Sequence, residues 1–129
     1  MPLSDAGRDH IATTLVGEAV TAFDNANANL GVGNGTAIFD KTHTDLQGAS
    51  KVRKAMEATY PQRAANILTF RSLFGIAEAN FAWEEWGVFN AAAAGTMLCR
   101  KVESLGTKAS SQSWQLTVDI TINNPELWW

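Results

Sequence analysis

The stretch LGVGNGT places glycines at 31, 33 and 35, a spacing that invites comparison with phosphate-cradling loops. A P-loop needs a lysine after its last glycine to meet the terminal phosphates, and none follows Gly35. A dinucleotide fingerprint needs a third glycine and a helix whose N-terminus faces the pyrophosphate. Gly31 and Gly33 fit the first two positions, but the third is Thr36, and AIFDKTHTDLQG has no helical periodicity. The expectation is a turn, with glycine supplying positive φ or close backbone approach.

His10 and His43 are the two histidines, and Cys99 is the single cysteine. A zinc site needs three or four ligands at suitable spacing. His43 has Asp40 and Asp45 nearby in sequence, whereas His10 falls in a candidate helix. Surface histidines and no metal site are expected. Cys99 lies in an apolar run and reads as a buried, inert thiol. Glu84 and Glu85 are adjacent, so in a strand they point to opposite faces and cannot form the facing pair of a glycosidase. No G-x-S-x-G motif supports a nucleophilic serine. No catalytic residue, cofactor or metal is expected.

The tryptophans at 83, 86 and 114 fall in candidate strands and read as core. A regular strand would put Trp83 and Trp86 on opposite faces. Leu127, Trp128 and Trp129 close the chain beyond Pro125. Two indoles there either fold back on their own domain or anchor in a groove on another subunit, where Trp is a favoured hot-spot residue.

The elements that must position these residues follow from periodicity. Ser4 and Asp5 suit a helix start, Ile11 and Leu15 form one apolar stripe, and Gly17 suits a stop. A helix over residues 5–15 is too short to stand alone and must dock, with Ile11 and Leu15 as candidate contacts. Residues 24–50 read as loop, with one short strand near Leu30–Val32. Residues 51–60 fit either helical turns or a strand, ended by Pro61. Four strands follow, in NILTFRSLF, FAWEEWGVF, TMLCRKVE and WQLTVDITI. The second and third are joined by a hairpin loop at AAAAG, 91–95. In the last strand, Trp114, Leu116, Val118, Ile120 and Ile122 alternate with Gln115, Thr117, Asp119 and Thr121, giving one apolar and one wet face. The expected fold is mainly β: a single antiparallel β-sandwich domain over 1–129, with a helical segment at 1–17 and a tail at 124–129.

Composition narrows the classes. With 129 residues, 46% hydrophobic and 18% charged, the chain can build one modest core. A net charge of −3 argues against a phosphate-gripping nucleic-acid binder. No 18-residue apolar run is present, so no transmembrane helix or membrane partner is expected. MPLSDAGRDH lacks the features of a secretory signal. One cysteine allows no intrachain disulfide, in keeping with a reducing compartment.

The order of motifs resembles the N-terminal domain of phage tail-collar fibre proteins. The residues that carry the likeness are Gly31–Thr36, Thr44–Leu46, Glu85–Phe89 and Gly95–Arg100, within residues 28–123. WGVFNAAAAGTML is also similar to small phage structural proteins. The resemblance implies a β-sandwich without catalysis that joins symmetric assemblies, commonly trimers, with copies of itself and other virion proteins as partners. It implies a place on the virion, at the capsid exterior or the tail, after synthesis in the host cytoplasm. Fibre proteins continue into a shaft and tip, so the expectation here is a decoration protein or a collar or adaptor module. A carbohydrate-binding sandwich is the alternative; it needs exposed, coplanar indoles on one face.

Overall fold

The computed structural model describes residues 2–123. It is mainly β, with two antiparallel sheets and one short N-terminal helix, a sandwich-like arrangement. The order is α1 (Asp5–Leu15), β1 (Asn29–Gly33), β2 (Lys51–Ala55), β3 (Gln62–Ala64), β4 (Ile67–Phe74), β5 (Ala82–Phe89), β6 (Met97–Thr107) and β7 (Trp114–Thr121). The first sheet runs β2-β1-β5-β6 and the second β3-β4-β7. No helix among the described residues is long and apolar enough to cross a membrane.

Period-two patterning explains the second sheet. In β7, Val118 and Ile120 are buried while Gln115, Thr117, Asp119 and Thr121 are exposed. They face Phe70 and Phe74 of β4, Leu30 and Val32 of β1, and Val88 of β5 in one core between the sheets. Burial of such side chains contributes about 1.5–3 kcal/mol each. The segment 51–60, which fits helical turns or a strand by sequence, begins as the edge strand β2, and β3 is an additional strand. Its three residues are too short to show a period.

Two irregularities depart from strict alternation. The β5–β6 register shifts between Trp83 and Glu85. That shift adds residues to β6, yet β5 also departs from alternation: Trp83 and Trp86 lie in the same core cluster rather than on opposite faces. Trp83 meets Phe74 and Trp114 edge-on, each at 5.0 Å. A second shift, at Val88/Phe89, sets Met97 apart from Cys99: Cys99 joins the inter-sheet core and Met97 packs with Leu46 and Phe89. A bulge adds backbone to one strand only and so reverses the phase of its side chains.

The glycine stretch is not a turn. Gly31 and Gly33 belong to the central strand β1, every residue of which is buried. Neither has positive φ. What they supply is close approach: a Cβ on Gly31 would lie 2.7 Å from the Phe89 ring, and one on Gly33 2.4 Å from the Glu85 carboxylate.

Helix α1 forms where expected. The Ser4 hydroxyl accepts from Gly7 N–H (2.9 Å), and Gly17 follows the end at φ +77°. The helix docks through its first turn rather than its apolar stripe. Gly7 is its buried residue, and a Cβ there would fall 2.2 Å from the Leu98 carbonyl oxygen. On an open helix face, Gly7→Ala would add about 1 kcal/mol of stability. Here the intruding methyl meets backbone, and overpacking costs about 1–3 kcal/mol. Gly7→Ala is therefore expected to destabilise in urea unfolding and to speed amide exchange in α1. A stabilised variant would show that the helix does not seat on β6.

Candidate functional site

The glycine run and Glu85 converge on the outer face of the first sheet. Strand β5 turns Trp86 and Val88 inward, which sends Glu85 outward beneath residues 34–48. There Glu85 has no solvent exposure. Its carboxylate accepts from Gly35 N–H (3.0 Å), Gln47 N–H (2.9 Å), Gly48 N–H (2.7 Å) and Arg100 Nε (2.6 Å). Arg100 comes from β6, is equally buried, and donates through Nη2 to the Ala37 carbonyl (3.0 Å). Its Nη1 has no partner among the described residues.

Glycine is required around this carboxylate for reasons of space. Cβ atoms on Gly33 and Gly35 would come within 2.4 and 2.5 Å of Glu85 Oε2, and one on Gly48 within 2.5 Å of Gly35 N. Three converging backbone N–H groups and a guanidinium make an anion cradle, the chemistry that phosphate loops use. The anion it holds belongs to the same chain. Burial alone would push the Glu85 carboxyl upward, but the Gln47 N–H, the Arg100 guanidinium and the Gly48 N–H outweigh it and hold it below the ordinary glutamate value.

The other candidates do not join this site. Glu84 accepts from Ser104 Oγ (3.3 Å) and takes no part in the Glu85–Arg100 cluster. His10 meets the Thr21 carbonyl at 2.7 Å and packs edge-on to Phe23. His43 Nδ1 accepts from Asp40 N–H (3.2 Å). The structure does not bring the two histidines together, and no group of three His, Cys, Asp or Glu able to hold a metal occurs among the described residues. Cys99 is fully buried, and burial pushes its thiol up to about 12. It is protonated at neutral pH and a poor nucleophile.

Of the candidate contact residues, Ile11 and Leu15 are 40% and 81% exposed. Leu127, Trp128 and Trp129 lie outside the described residues. A hollow of about 300 Å³ opens beside Lys54, Met56, Glu57, Leu73 and Glu78, and Lys54 and Glu78 neutralise each other at its wall (2.7 Å). Arg100 and the Gln47–Gly48 amides were not singled out from sequence. The one available signal was an arginine and a glutamate on two strands joined by a hairpin.

No protein-family model matches this chain, and no curated protein matches it.

The buried pair sets an acid limit. A depressed carboxyl stabilises the fold fully above the ordinary glutamate pKa, about 4.3, and that stability is lost as pH falls through the lower folded value. Urea unfolding at pH 7 and pH 3 should show the loss. Glu85→Gln leaves the Arg100 charge buried and uncompensated, and should cost about 3–5 kcal/mol at pH 7 while flattening the acid dependence. Unchanged stability would show that the carboxylate charge is not what holds residues 34–48 to the sheet.

Proposed function

We propose that this protein is a non-catalytic structural module of a phage particle, a capsid decoration protein or a tail collar or adaptor, which assembles through subunit contacts. The observation that carries this reading is the surface of α1 and the segment after it. Ile11, Leu15, Val16 and Val20 remain exposed within ten residues while the helix seats itself through Gly7. Isolated exposed apolar residues are ordinary, but four in one short segment suit a protein contact. The groups able to do chemistry are already engaged inside the fold: Glu85 and Arg100 with each other, and Cys99 in the core. The motif order of residues 28–123 supports the phage assignment by resemblance.

A sugar-binding sandwich would need exposed indoles. Trp83 and Trp86 are buried, and half-buried Trp114 packs against Trp83, so the described tryptophans offer no such platform.

Immunogold microscopy of purified particles with an antibody to this chain tests the assignment. Dense label over the head identifies a decoration protein, and sparse label at the tail a collar or adaptor. Bare particles with an accessible epitope overturn the reading. The double variant Ile11→Asp, Leu15→Asp should keep its circular dichroism and unfolding midpoint. It should enter particles at least about ten-fold less well, the loss of roughly one hot-spot contact. Unimpaired incorporation would remove α1 from the interface.

A further inference from the structure

The two sheets have four edges, and three carry devices that block further pairing. Edge strand β2, KVRKA, bears Lys51, Arg53 and Lys54 in five residues. Edge strand β3 is three residues long and follows Pro61. Edge strand β6 is covered at its start by the N-terminal residues. Leu3 bridges Cys99, Ser4 N–H donates to the Leu98 carbonyl (3.1 Å), and Arg100 N–H donates to the Pro2 carbonyl (3.4 Å). Farther along, the same strand is irregular. Short strands, lysine, bulges and covering segments are how proteins keep sheet edges from adding strands.

Among the described residues, edge strand β7 has none of these. Its eight residues pair with β4 in unbroken register from Phe74↔Trp114 to Ile67↔Thr121. It contains no proline, lysine or arginine. Its one charge, Asp119, accepts from Thr69 Oγ1 (2.7 Å).

The direction of its backbone groups can be worked out. Ile122 N–H donates to the Asn66 carbonyl (2.9 Å), so even-numbered residues of β7 point their N–H and C=O toward β4. The Arg71 carbonyl, on the other side of β4, accepts from Glu57 N–H (2.9 Å), as the same alternation requires. The N–H and C=O of Gln115, Thr117, Asp119 and Thr121 therefore face the open edge. These four residues are exposed, and no described group outside the sheet bonds their backbone.

We propose that β7 docks on β7 of a second copy of this chain, antiparallel about Thr117, joining the two three-stranded sheets into one. The strand is self-complementary, which selects a second copy as occupant, and its one charge selects the register. A twofold centred on Asp119 would set two carboxylates face to face, which opposes pairing. Centred on Thr117, it sets Asp119 opposite Gln115, whose Nε2 gives one hydrogen to the Glu57 carboxylate (2.8 Å) and keeps a second for Asp119, and it sets Thr117 opposite Thr117. Trp114 then meets Ile120 and Leu116 meets Val118 on the core side, so both apolar faces continue across the junction. Residues 115, 117 and 119 of each strand meet their counterparts with outward N–H and C=O groups on both sides. The contact stands on the strand edges and not on the phage assignment, and its twofold symmetry makes it separate from any threefold contact.

Sedimentation equilibrium of the purified full chain tests it. The wild type should form dimers. Thr117→Pro removes one outward N–H and leaves the ladder to β4 intact, so it should weaken the dimer at least about ten-fold with unchanged circular dichroism. A monomeric wild type, or a folded Thr117→Pro variant that dimerises as well as the wild type, overturns the proposal. Thr117→Cys gives an independent reading, because Cys99 is buried and silent toward thiol reagents. A short bis-maleimide should link the two introduced thiols across the axis. A dimer that resists this link pairs through another surface and also overturns the proposal. Neither result bears on where immunogold places the protein.

Discussion

The fully buried Glu85–Arg100 pair is the constraint on which the outer face of the first sheet depends. One carboxylate fastens three points of the 34–48 segment, at Gly35, Gln47 and Gly48, to β5 and β6. Such a pair adds little net stability over well-packed apolar side chains, because desolvating two charges offsets their attraction. Its effect is on specificity. An apolar substitute would leave three backbone donors without an acceptor, and the segment would lose its single seat. Above it Leu46 packs with Phe89 and Met97 in a small second cluster. On the far side the Phe89 ring lies beneath the Arg53 guanidinium, 3.7 Å from its centroid.

Glycine recurs where backbone must pass close to something rigid. Gly31 makes room for Phe89, Gly33 and Gly35 for Glu85, and Gly7 for the backbone of β6. The absent side chain allows direct seating of segment on strand and helix on edge. The same close seating has a consequence at the surface. A helix held by its first turn keeps its later apolar residues free, and Ile11 and Leu15 stay in solvent.

The two proposed contacts differ in physical kind. The α1 surface is apolar and non-directional, suited to burial against a complementary patch. The β7 edge is directional, because hydrogen-bond alternation admits only registers that bring outward residues together.

Residue types and periods were enough to place α1, the short β1 and the four later strands, including the wet and dry faces of β7. These are local properties: a cap, a stop glycine, an alternation of two. The same local reading placed Cys99 in the core. The glycine run reads locally as a turn that needs either positive φ or close backbone approach, and only the folded chain decides for close approach, because glycine looks the same in sequence whether the chain bends or a neighbour crowds it. Local reading set Trp83 and Trp86 on opposite faces, because a local break in a strand's alternation is decided by packing against its neighbours and leaves no mark in residue types. Arg100 stayed unmarked until β5 and β6 were aligned beside each other. What tertiary structure decided was therefore which distant groups share a buried space. A carboxylate can be buried only where donors from several segments arrive together, and no window along a single stretch contains that meeting.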